Sequence, residues 1–233
     1  MNKDKEILLQ CEDLTKSFYV KQKEIQVLKG INLSVKKGEI IVLTGKSGTG
    51  KSTLLWILCG LERSTSGRIM FDGRSIDDLS NEDWAILRRK KFGIIFQNFN
   101  LLPSWTAFEN VESAMLHTGI SKSTRKKKAT VLLDEFGLGD RLDNLPSELS
   151  IGQQQRVAIA RAIANDPSII IADEPTGDVD PETAKEIIDH LLTPVKEKKV
   201  TLLVATHGVF PLDIADRVFC MNDGKINAGI SLN

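Results

Sequence analysis

Two stretches of this chain combine residue types and spacings that can do chemistry. The first is Gly45-Lys46-Ser47-Gly48-Thr49-Gly50-Lys51-Ser52-Thr53, which fits the phosphate-binding pattern G-x-x-x-x-G-K-[ST]. Gly45, Gly48 and Gly50 let the backbone curl so that several N–H groups, those around Ser47 and Thr53 included, point into one concavity. Lys51 supplies a mobile full charge for β- and γ-phosphates, and Ser52 a hydroxyl for Mg2+. The second stretch is Asp173-Glu174, directly after the apolar run Ser168-Ile169-Ile170-Ile171-Ala172. A phosphate loop needs a carboxylate from a neighbouring strand end to hold hydrated Mg2+, and Asp173 answers that need. By strand alternation Glu174 falls on the opposite side, free to polarise an attacking water as general base. A nucleoside triphosphate site is the expectation.

Elements must position these groups. Ile40-Ile41-Val42-Leu43 reads as a buried strand entering the loop, and Leu54-Leu55-Trp56-Ile57-Leu58 as the helix leaving it, whose positive end adds to the concavity. Residues 7–20 and 27–35 read as strands, and Arg68-Ile69-Met70-Phe71 as a short strand closed by the turn signal Asp72-Gly73. A helix is expected over 80–91, capped by Ser80 or Asn81, then a strand over Phe92–Gln97 ending on that polar residue. Helices follow over 106–117, 122–136 and 152–164. A helix over 181–192, with Asp180 as N-cap and Pro181 first, leads to a buried strand over 200–205 and a terminal hairpin around Asn222-Asp223-Gly224. Strands alternating with helices argue an α/β fold with a mainly parallel sheet, into which the helical middle is inserted.

Composition narrows the classes. The chain has 233 residues, 41% of them hydrophobic, enough for a sizeable core, and a formal net charge of zero, so no global field attracts nucleic acid or an acidic membrane. The clusters Arg88-Arg89-Lys90-Lys91 and Arg125-Lys126-Lys127-Lys128 read as solvated helix faces. Cys11, Cys59 and Cys220 are odd in number and far apart, as in a protein with reduced thiols. The charged start Met1–Glu6 lacks the apolar run of a signal peptide, and no window approaches a membrane span. Any membrane connection is expected to come through a partner.

The segment Leu149-Ser150-Ile151-Gly152-Gln153-Gln154-Gln155-Arg156-Val157-Ala158-Ile159-Ala160-Arg161-Ala162 resembles the signature segment of ATP-binding cassette (ABC) ATPases. It precedes Asp173-Glu174-Pro175-Thr176-Gly177 in that family's order, and the resemblance covers nearly the whole chain. It implies a single ABC ATPase domain over 1–233: a P-loop NTPase core with a mainly parallel sheet, an N-terminal antiparallel β subdomain, and a helical subdomain inserted at about 98–167. Lys16-Ser17-Phe18 resembles the adenine-stacking loop, with Tyr19 as the competing ring and a core role open for either. Gln97 resembles the Q-loop glutamine that reaches Mg2+ or its water, Asp178-Val179-Asp180 the D-loop, and His207 the switch histidine beside the γ-phosphate. His117 and His190 match no motif and read as structural. Ser150, Gly152 and Gln153, at a helix start, are implied to face the γ-phosphate held by an opposite subunit.

The segments Asn98-Phe99-Asn100-Leu101-Leu102-Pro103 and Ala172–Gly177 are similar to the lipoprotein-release and macrolide-export branch. The resemblance implies an ATPase that binds ATP with Mg2+, dimerises with a second copy and drives integral membrane permease subunits from the inner face of the plasma membrane, with no nucleic-acid partner. The competing classes are an ABC-type ATPase acting on nucleic acid or ribosomes, a regulatory ATPase of a cell-envelope complex, and a phosphotransferase, for which the signature segment has no job. Ile151 departs from the family, which has glycine there. A positive φ at that position would strain a β-branched residue. The expectation is that the backbone needs none and that Ser150 and Gly152 still supply the contacts.

Overall fold

The computed structural model describes residues 6–177, 179–207 and 210–231. The chain begins with an antiparallel pair, β1 (Ile7–Val20) and β2 (Lys23–Lys36). β3 (Ile40–Thr44) leads through the glycine loop into α1 (Lys51–Leu58). β4 (Ser66–Phe71) joins the free side of β1 and turns into the short β5 (Arg74–Ser75), so the first sheet runs β2-β1-β4-β5, all antiparallel. α2 (Asn81–Lys91) is capped by Ser80 and passes directly into β6 (Phe92–Ile95).

The helical middle follows as α3 (Ala107–Ala114), α4 (Lys122–Glu135) and α5 (Ile151–Ile163), with short 3-10 turns at 139–141 and 146–148. β7 (Ile169–Asp173), α6 (Pro181–Lys198), β8 (Thr201–Thr206), β9 (Arg217–Asn222) and β10 (Lys225–Ser231) complete the chain. The second sheet is ordered β10-β9-β3-β8-β7-β6; β9 through β6 are parallel and β10 is antiparallel to β9.

The apolar runs at 40–43, 169–172 and 202–205 are continuous because both faces of this sheet are covered. Val42, Ile170, Ala172, Leu202 and Val204 face a core shared with α3 to α6. Their alternates Ile41, Leu43, Ile169, Ile171, Leu203 and Ala205 face a core shared with α1 and the antiparallel sheet. Arg217 on β9 bonds Glu39 at 2.5 and 2.9 Å and also the Ser34 carbonyl of β2, tying the two sheets together.

The structure departs from the sequence-based bounds in several places. β6 ends at Ile95, so Gln97 stands in the turn beyond it rather than on the strand. α3 ends at Ala114, short of His117, which takes a φ of 58°. α5 starts at Ile151 and has Ser150 as its cap. α6 runs on through Pro194 to Lys198 and stops at the left-handed Lys199. The apolar stripe Leu191, Leu192 and Val195 is buried, and that burial outweighs the hydrogen bond a mid-helix proline removes.

Candidate active site

The carboxyl ends of β3, β8 and β7 lie side by side, the edge at which parallel sheets bind ligands. Gly45 leaves β3 with a φ of 149°, and a Cβ there would meet the Met221 carbonyl of β9 at 2.4 Å, so the loop can pass only as glycine. Gly50 caps α1 at a φ of 100° and offers no side-chain acceptor to the first-turn N–H groups, leaving them for an anion. The Lys51 side chain, 6% exposed, curls under the loop. Its Nζ donates to the carbonyls of Gly45 at 2.8 Å and Lys46 at 3.2 Å and lies 3.6 Å from Glu174 Oε1.

Asp173 is the last residue of β7 and accepts a 2.9 Å hydrogen bond from the Ser52 hydroxyl. Burial raises its pKa, the Ser52 bond opposes that, the charge of Glu174 raises it further and Lys51 lowers it. Glu174 lies just beyond the strand with a φ of 50°, so strand alternation does not govern its direction. Its N–H donates to the Ala205 carbonyl at 2.9 Å. Its carboxylate accepts from the His207 N–H at 3.0 Å and meets His207 Nδ1 at 2.7 Å. Both carboxylates therefore reach adjacent residues of the loop, Asp173 to Ser52 and Glu174 to Lys51.

A cavity of about 390 Å³ is lined by Val27, Ser47, Gly48, Gly50, Lys51, Ser52, Thr53, Gln97, Glu174 and His207; Asp173 lies behind Ser52 and does not line it. Gly45 lines an adjoining cavity on the other side of the loop. Val27 is not legible as a site residue, because it arrives on β2 from outside the motif. Phe18 does not line the cavity; it is half-exposed near the hairpin end, with Lys16 Nζ 4.6 Å from its ring centroid.

The signature segment lies apart from that cavity. Ser150 and Gln153 form a reciprocal cap: the Ser150 hydroxyl accepts from the Gln153 N–H at 3.2 Å, and Gln153 Oε1 accepts from the Ser150 N–H at 2.9 Å. Ile151 is the first residue of α5, takes no positive φ and is 52% exposed, so its branched side chain is unstrained. Asp180 caps α6, accepting from the N–H groups of Glu182 and Thr183 and from the Thr183 hydroxyl at 2.6 Å. Asp178 lies outside the described residues. None of Ser150, Gly152, Gln153 and Asp180 lines the Lys51 cavity.

Gly152 has a constraint that its motif does not announce. A Cβ there would stand 2.6 Å from Thr183 Cγ2, and Asp180 fixes that threonine's rotamer. Gly152→Ala is expected to destabilise the chain by about 1–3 kcal/mol through overpacking. Thr183→Ser removes the clashing methyl and keeps the hydroxyl, so the double variant regains most of the loss in thermal unfolding. Equal melting of the single and double variants would show that the contact does not set the helix spacing.

Elsewhere, much of the basic clusters is committed internally. Arg88 donates to the Gly60 carbonyl and Arg89 to that of His117, Arg125 pairs with Glu112 at 3.4 Å, and Lys128 pairs with Asp166. His190 stacks on Phe136 at 4.6 Å, and burial lowers its pKa.

Comparison with known proteins accords with this geometry. A family profile described as ABC transporter matches residues 28–177. An uncharacterized ABC transporter ATP-binding protein of Thermotoga maritima is 42% identical over 219 residues, covering 94% of this chain and 93% of that one. The lipoprotein-releasing system ATP-binding protein LolD of Aquifex aeolicus is 44% identical over 201 residues, 86% of this chain and 89% of LolD. The macrolide export ATP-binding/permease protein MacB of Brucella melitensis is 43% identical over 94% of this chain, which spans 34% of MacB. The ATP-binding cassette MJ0796, solved as a dimer bound to ADP and Pi, superposes with a TM-score of 0.91 at 36% identity, over 97% of this chain and 99% of its own. This chain belongs to the ABC transporter family and is one of its ATP-hydrolysing cassettes.

Proposed function

We propose that this cassette is one half of an ATP-driven motor. ATP closes it head to tail on a second copy, and the pair powers an export or extraction complex through separate permease chains. The supporting observation is the split of the site. Lys51, Ser52, Gln97, Glu174 and His207 share one cavity, while Ser150, Gly152 and Gln153 at the capped start of α5 lie outside it. In this reading Ser150, Gly152 and Gln153 of the second copy close over the γ-phosphate. The dimeric MJ0796 cassette supports the pairing, the name LolD supports an ATP-binding subunit of a release system, and the name MacB supports work beside a permease, there on the same chain. Among the described residues no helix is long and apolar enough to cross a membrane. The permease partners supply the spanning segments and hold the cassette at the inner face of the plasma membrane.

The chemistry follows from the groups present. Lys51 and the loop N–H groups hold the β- and γ-phosphates. The Ser52 hydroxyl, the Asp173 carboxylate and the Gln97 amide are hard oxygen donors around one corner of the site, a set that suits Mg2+. Held by these residues, Mg2+ would supply charge that offsets the phosphates. Glu174, steadied by two nitrogens of His207, takes the proton of the attacking water, and His207 borders both the water and the γ-phosphate. Phe18, near the hairpin end of β1, stacks on the adenine, and Asp180 lies where the two copies meet. The 98–167 segment, entered through the turn at Gln97, carries the motion to the permease.

Affinity capture of the tagged chain from detergent-solubilised membranes tests the transport assignment. The expected result is co-purification of a protein with several spanning segments. Retention on ribosomes or nucleic acid, with no membrane protein recovered, would overturn it.

A further inference from the structure

Gln155 has a burial that stability does not explain. It lies one turn into α5, is 0% exposed, and donates from Nε2 to the Pro175 carbonyl at 2.8 Å. Its Oε1 is buried as well and has no hydrogen-bond partner among the described residues. A methionine of similar length would remove that unmet oxygen, though it would also take the donor from the Pro175 carbonyl.

What the amide accomplishes is mechanical. Pro175 follows Glu174, whose left-handed backbone must be held in place by its surroundings. Glu174 N–H to Ala205, Gly177 N–H to the Glu174 carbonyl at 3.2 Å, and His207 N–H to the carboxylate fix that turn to itself and to the end of β8. Gln155 adds the bond from α5. The same helix carries Ser150 and Gly152 at its start, five and three residues earlier.

We propose that Gln155 is a positioning residue that couples the two nucleotide sites of the dimer. It joins the helix start that closes on the second copy's nucleotide to the turn that aims Glu174 at its own. This rests on the half-site reading above. When α5 seats against the opposite nucleotide, the Gln155–Pro175 bond carries that displacement to Glu174, so water is activated only in a closed pair.

The test compares Gln155→Met with the wild type in steady-state ATP hydrolysis, equilibrium ATP binding and thermal unfolding. The expected result is a kcat at least about tenfold lower, since small misplacements of a catalytic group are costly, with ATP affinity held within about twofold. Melting falls by no more than the loss of one buried hydrogen bond, and the Hill coefficient for ATP falls from about two toward one. A wild-type kcat in Q155M overturns the proposal and leaves Gln155 as a packing group. Should Q155M melt early, Q155L is judged by the same ratio of kcat to ATP affinity. The catalytic reading fails separately, on Glu174→Gln with normal turnover; the coupling fails when that variant is inactive and Q155M is as fast as the wild type.

Discussion

Glu174→Gln lowers ATP hydrolysis at least about a hundredfold, the contribution expected of a positioned general base, while ATP still binds and two chains stay together. The variant is nearly isosteric, and its amide oxygen can still accept the His207 N–H that Glu174 holds at 3.0 Å. The turn should survive, because the φ of 50° is fixed by backbone bonds to Ala205 and from Gly177 rather than by the carboxylate. What disappears is the proton acceptor. One negative charge also leaves a pocket that already holds Asp173 and must take a triphosphate, so nucleotide affinity is retained or improved. Phosphate release gives the rate, and sedimentation with and without MgATP gives the association state. Unaltered turnover would put the base on another residue; a monomer at saturating ATP would remove the second copy from the mechanism and revive a phosphotransferase reading.

The site's outline was legible in the sequence, because phosphate binding demands glycine at fixed points. Gly45 shows the reason at atomic scale: a Cβ there would strike the Met221 carbonyl. The buried strands were legible for a related reason. A sheet covered on both faces leaves no polar alternation, so Ile169–Ala172 and Leu202–Ala205 read as continuous apolar runs. Other features depend on partners distant along the chain. Alternation places Glu174 only if the strand continues, and bonds to β8 and to Gly177 end it one residue earlier. Val27 reaches the cavity because β2 folds back over Gly50, a contact between segments with no shared pattern. Gln155 lies inside a recognisable motif, yet its role depends on its depth beneath Pro175, which residue type alone does not reveal. The motif around Gly152 points only to a phosphate, whereas Thr183, across the α5–α6 contact, sets a steric demand for glycine.

Lys51→Met is expected to weaken ATP binding at least about a hundredfold, roughly 2.7 kcal/mol, and separately to destabilise the protein measured without nucleotide. Two different jobs of one ammonium produce the two effects. Toward ATP, Lys51 is the full positive charge at the phosphate loop. Toward its own chain, it bridges the Gly45 and Lys46 carbonyls and stands 3.6 Å from Glu174, both side chains being almost fully buried. Methionine fills the space but leaves Glu174 without its cation next to the buried Asp173, and stripping one partner from such a pair costs about 3 kcal/mol. For a domain of this size that is a fall of roughly 10 °C in melting temperature. Adding Glu174→Gln removes the uncompensated charge, so the double variant should recover a good part of the melting temperature and no more ATP affinity than Glu174→Gln adds to the otherwise unaltered chain. Calorimetric melting and titration with a fluorescent ATP analogue read the two quantities independently. Recovery of both together would mean that Lys51 acts only through the shape of its own loop, whereas recovery of stability alone assigns the phosphate charge to Lys51 and the burial cost to its partner.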